Sequence, residues 1–142
     1  MESNKEITPV EFRRHLHAHP ELSFQEQETA RYIEERLDAL GIAHRRVAGT
    51  GVLASIRGSK SVADDRRAVV LRADIDALPI DEQNDCTWHS QRRGVMHACG
   101  HDMHAAVLYG VLQRMAARPD FRGTLFGLFQ PGEECNPGGA SL

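Results

Sequence analysis

The sequence predicts an α/β fold: a mostly parallel mixed sheet flanked by helices. Two observations lead there. Short apolar runs of strand length stand at residues 68–71 and 123–129, and apolar residues recur at helical spacing ahead of them and between them. A third is size and composition. The 142 residues are 41% hydrophobic and 26% charged, which suits one globular domain with a real core.

The elements follow in order. Thr8, Pro9 and Glu11 mark a helix start, with Thr8 as N-cap, Pro9 in the first position and Glu11 in the first turn. Phe12 and Leu16 lie one turn apart, and His19-Pro20-Glu21 ends the element. From 26 to 40, Ala30, Ile33, Leu37 and Leu40 keep helical spacing, and Gly41 closes that helix. Residues 42–56 read as two strands around a turn at 48–51, and 58–67 as a polar surface loop. The run at 68–71 has the composition of a strand buried on both faces. Pro79 stops regular pairing, and 81–96 is irregular. Asp102 is expected to cap a helix that buries Ala105, Leu108, Leu112 and Met115 and ends near Pro119. The strand at 123–129 leads into a loop at 130–134. There is no internal repeat and no low-complexity segment.

Composition narrows the function. A net charge of −3 with scattered Lys and Arg offers no basic face for nucleic acid or anionic lipid. No run of 18 apolar residues is present, so no membrane span is expected. The first nine residues lack the apolar stretch of a secretory signal, and three cysteines point to free thiols in a reducing, cytoplasmic compartment. The ending at 137–142, directly after a polar loop, reads as a piece of something larger.

Candidate chemistry gathers where strands end. Asp74 and Asp76 follow one strand, residues 97–104 precede a helix, and Glu133 and Glu134 follow another strand. Four of the eight histidines fall within 89–104. Cys99 and His101 flank Gly100, so a tight turn can aim a thiolate and an imidazole at one cation, and a helix N-terminus favours the thiolate. That donor pair suits Zn and its neighbours Mn, Co and Ni, with Mn least served by the thiolate. Adjacent carboxylates in a turn point apart, so one of Glu133 and Glu134 can ligate while the other serves as base toward water. His97 and His104 read as supports of the ligands, and Asp74 and Asp76 equally as loop caps or as groups that orient the site. His15, His17 and His19 fan around their helix in surface or supporting positions. Cys86 and Cys135 read as free thiols, the latter near any metal.

Four stretches carry a resemblance: Arg13 to Leu22, Arg72 to Ile80, Met96 to His104, and Gln130 to Glu134, in that order. They resemble the metal-dependent amidohydrolases of N-acyl amino acids, that is hippurate hydrolases, bacterial aminoacylases and plant auxin-conjugate hydrolases, over roughly residues 11–142. The resemblance implies a two-metal site with Cys99 bridging, His101 and Glu134 as further ligands, and Glu133 as the general base. Asp74, Asp102 and His104 would support these ligands. It also implies divalent metal cofactors (Zn, Mn, Co or Ni), a small N-acyl amino acid substrate, and homo-oligomers formed through a lid domain. On this resemblance residues 1–142 are the N-terminal portion of a zinc-peptidase-like catalytic domain, about a third of such an enzyme. The remaining histidine ligands and the lid then lie beyond residue 142, so these residues alone would be inactive. Met103 and Gly132 depart from the family, which usually has Gly at the first position and Ala or Val at the second. A non-catalytic metal-binding module, or a dipeptidase or N-carbamoyl amino acid hydrolase on the same scaffold, are the alternatives.

Overall fold

The computed structural model describes residues 6–142. Residues 1–5, on which the reading of the amino terminus partly rests, lie outside the described residues. The first helix, α1 (Pro9–Ala18), begins in a reciprocal cap: Thr8 Oγ1 accepts from Glu11 N at 3.2 Å, and the Glu11 carboxylate accepts from Thr8 N at 2.7 Å. Then come α2 (Gln27–Ala39), β1 (Ala43–Val47), β2 (Gly51–Arg57), β3 (Ala68–Asp74), α3 (His101–Ala117) and β4 (Thr124–Gln130). Gly41 follows α2 with φ of 65°, the left-handed turn a helix end requires. The chain closes on a short 3-10 turn, Gly139–Ser141. Among the described residues no helix is long and apolar enough to cross a membrane.

The α/β class and the mixed sheet are as the sequence predicts. Among the described residues the strand order is β1-β2-β4-β3, with β1–β2 and β2–β4 antiparallel and β3–β4 parallel. The expected predominance of parallel pairing is therefore corrected. Strand β2, joined to β1 by a tight turn, returns beside β4 in the opposite sense.

One core joins the helices to alternate residues of the sheet. Val52, Ala54 and Ile56 of β2 pair with Phe129, Gly127 and Leu125 of β4, and these meet Phe12, Leu16, Ile33, Leu37, Leu108 and Leu112 from the helices. Phe12 stacks on Tyr109 with ring centroids 4.4 Å apart, which ties α1 to α3. Helix α3 comes close to the sheet at Gly127, where a Cβ would stand 2.7 Å from Leu112 Cδ1. Leu112 is fully buried at that contact. Leu112→Ala is expected to cost about 2–5 kcal/mol in chemical denaturation, since close-packed neighbours cannot fill the void.

Two further expectations change. The run at 68–71 is not buried on both faces: Val69 and Val70 are 59% and 58% exposed. Within these 142 residues β3 pairs only with β4 among the described residues, which leaves its other side open, and an apolar run alone does not separate edge from centre. Asp102 does not cap α3. The N-cap is Gly100, with φ of 81°, and Asp102 lies in the first turn with its carboxylate directed to α1.

Candidate functional site

Because β3 and β4 run parallel, their carboxyl ends emerge side by side. Asp74 is in register with Gln130, and Ile75 N donates to the Gln130 carbonyl at 3.0 Å. The Asp76 loop and the Glu133–Glu134 loop thus leave the sheet together, and α3 starts beside them.

Asp76 organises this meeting. Its carboxylate is buried and accepts from His101 Nδ1 at 3.1 Å, Ser23 Oγ at 2.8 Å and Glu134 N at 2.9 Å. His101 Nδ1 also lies 3.0 Å from the Asp76 carbonyl. Burial alone would raise the Asp76 pKa, but these donors outweigh it and hold the carboxyl at about 2. Hydrogen bonding to Asp76 raises His101 above its ordinary value. With Nδ1–H spent on Asp76, the Nε2 lone pair points out of the network.

On that side lie the carboxylates. Glu133 Oε2 and Glu134 Oε1 are each 3.8 Å from His101 Nε2. Ligand atoms of Cys99, His101 and Glu134 all lie within 4.8 Å of one another. A thiol, an imidazole nitrogen and a carboxylate so placed fit a borderline divalent cation. Gly100 makes the turn possible, because its positive φ lets Cys99 and His101 converge across it. A hydrogen bond to the Glu134 carboxylate, with some burial, raises the Cys99 thiol above its ordinary pKa.

The other predicted residues take distinct places. Asp74 pairs with Arg72 at 2.8 Å, and with His101 and the exposed His104 it forms a second group whose ligand atoms lie within 4.8 Å of one another. His97 is buried, which pushes its pKa down to about 4, and neither ring nitrogen has a hydrogen-bond partner among the described residues. Cys86, Cys99 and Cys135 are free. Gly132, with φ of 59°, stands where a Cβ would meet the ring of Phe24, so Phe24 fills the space a side chain there would need.

His15 and His19 stay near the surface, but His17 is buried between two carboxylates. Its Nδ1 is 2.9 Å from Asp102 Oδ2 and its Nε2 2.9 Å from Glu82 Oε1, while Arg13 Nε also donates to Asp102 Oδ2 at 3.0 Å. Both nitrogens face carboxylate acceptors, an arrangement that favours the imidazolium form. Burial would lower its pKa, but the bonds to Glu82 and Asp102 raise it above 6.5. Burial would raise Glu82, but His17, Ser90 N and Asn84 bring it to about 2. The Glu82 contribution to stability is present above its ordinary 4.5 and is lost as pH falls toward 2, whereas that of His17 is complete below 6.5 and lost as pH rises through its higher folded value. Thermal melts of wild type and His17→Gln are expected to differ most between pH 4.5 and 6.5 and to converge at higher pH. A difference that stays constant as pH rises well above 6.5 would contradict a charged His17.

Known proteins resemble this chain over most of its length. The profile of Peptidase family M20/M25/M40 matches residues 70–142. An N-acyl-L-amino acid amidohydrolase of Geobacillus stearothermophilus is 47% identical over 133 residues, covering 92% of this chain and 35% of the relative. An N-acetylcysteine deacetylase of Bacillus subtilis is 42% identical over 135 residues, covering 91% and 34%. A Bacillus subtilis crystal structure described as a dinuclear metal-binding peptidase of the M20 family superposes with a TM-score of 0.83 at 43% identity, covering 92% of this chain and 36% of that one. The chain spans about a third of the length of the relatives it matches. More than half of the chain matches the family profile, with close relatives across almost all of it: the protein belongs to Peptidase family M20/M25/M40.

Proposed function

We propose that this chain is the N-terminal portion of the catalytic domain of a metal-dependent amidohydrolase that cleaves the amide bond of N-acyl amino acids, hippurate-like or N-acetyl. The observation that carries the reading is the closeness of Cys99, His101 and Glu134 donor atoms, within 4.8 Å of one another, beside a second carboxylate on Glu133. The names of the relatives, an N-acyl-L-amino acid amidohydrolase and an N-acetylcysteine deacetylase, support the substrate class.

Cys99, His101 and Glu134 would hold divalent metal, two ions per complete site, drawn from Zn, Mn, Co or Ni. When bound, the metal supplies Lewis acidity toward water and the substrate carbonyl. The chain's own groups do the rest. Glu133 takes a proton from the attacking water on its carboxylate and returns it to the amide nitrogen as the C–N bond breaks. His101 is held by Asp76 so that Nε2 faces the ligand cluster. Asp74, Asp102 and His104 support the ligands, and the full-length protein works in the cytoplasm as a homo-oligomer.

The test is hydrolysis of N-acetyl and N-benzoyl amino acids by the native full-length protein, stripped of metal and reloaded separately with Zn, Mn, Co or Ni. Metal-restored release of the free amino acid is the expected result. Stoichiometric metal uptake without turnover on these substrates, on dipeptides or on N-carbamoyl amino acids would leave a binding module in its place.

A further inference from the structure

Glu26 stands at the N-cap of α2, where a side chain ordinarily accepts from the first-turn amides. It does not do so. The first turn is served instead by Glu21, whose carboxylate accepts from Thr29 N at 2.8 Å. The Glu26 carboxylate is fully buried and turns the other way: Oε1 accepts from Gly132 N at 2.8 Å and Oε2 from Thr50 Oγ1 at 2.5 Å. Among the described residues no cation lies within ion-pair distance of it, and a buried carboxylate is costly unless hydrogen bonds compensate. The chain reaches Glu26 through Phe24, a non-glycine residue with φ of 61°, whose ring lies against Gly132. Ser23, one residue earlier, donates to Asp76. A diverted cap, a buried carboxylate and a left-handed Phe thus all converge on the turn that precedes Glu133 and Glu134.

We infer that Glu26 is a positioning residue: by holding Gly132 N it sets the backbone of the 131–134 turn and so the aim of the Glu133 carboxylate. This rests on Glu133 being the general base. Its action is through reach, not charge. A glutamine in its place keeps an oxygen for Gly132 N, and its amide can donate to Thr50 Oγ1, because a hydroxyl accepts as well as donates. An aspartate keeps the charge and is a good helix N-cap, yet is one methylene too short to reach Gly132.

The experiment compares Glu26→Gln, Glu26→Asp and Glu133→Gln in the native full-length, metal-loaded protein, reading kcat, KM and metal content. Glu26→Gln is expected to keep kcat within about three-fold, and Glu26→Asp to lose about ten-fold or more with KM little changed, because small misplacement of a reacting group is expensive. The reverse pattern, or equal behaviour of the two Glu26 variants, overturns the positioning role. Unimpaired turnover in Glu133→Gln overturns the base assignment instead, which keeps the two failures distinct.

Discussion

Glu133→Gln in the native full-length protein is expected to lower kcat by about 10²–10⁴-fold while the metal content stays unchanged. Glutamine preserves the size and shape of the side chain but cannot take up a proton, so only the proton-transfer step is removed. Glu133 is more exposed than Glu134, at 39% against 24% of the side chain, which suits a group that must meet water and substrate. Its carboxylate is 3.8 Å from His101 Nε2, so the base stands beside the ligand cluster. The measurement is steady-state hydrolysis of an N-acyl amino acid together with elemental analysis for metal. Full turnover in the mutant would remove Glu133 as the base. Loss of metal would place it among the ligands.

The second large effect is expected at Asp76. Asp76→Ala deprives His101 Nδ1, Ser23 Oγ and Glu134 N of their shared acceptor in a buried place. His101 Nδ1 keeps the backbone carbonyl of residue 76, but Ser23 Oγ and Glu134 N each lose their acceptor at about 1–3 kcal/mol, so a fall in stability is expected. Metal affinity should drop as well, by about 10–100-fold, because the imidazole keeps only the backbone carbonyl of residue 76 and the Glu134 backbone loses its anchor. Chelator competition on the folded variant measures this directly. Unchanged affinity in a folded Asp76→Ala protein would show that the imidazole needs no such partner.

Asp76 also marks the boundary of what could be read without coordinates. Its place after an apolar strand was legible, and so were its two equal readings, as a loop cap or as an orienting group. The choice between them depends on which donors fold back onto its carboxylate. Two of the three come from residues 53 and 58 positions away in the chain.

His17 teaches the same lesson. Its position on a short amphipathic helix was plain, but its partner Asp102 is 85 residues distant. No periodicity in α1 reveals that α3 will present a carboxylate there. Gly132 and Glu26, 106 residues apart, are a third case. Asp102 reads as a cap because Asp often caps, yet Gly100 already turns the chain and frees Asp102 for α1.

The sequence by itself determined the α/β class, the order and approximate extent of the α-helices and strands, and the candidates for metal ligation. These depend on short-range physics: capping at Thr8, helical spacing in 26–40, a bend at Gly100, and apolar runs that stop where polar loops begin. Only the tertiary structure decided that, among the described residues, β3 pairs in parallel with β4 while β2 runs antiparallel to its neighbours, and that Asp76 and Glu26 direct their carboxylates to the site. Strand order and buried hydrogen bonds depend on chain crossings and on which distant donors lack other partners. Those are properties of the assembled core, and no local window of residues contains them.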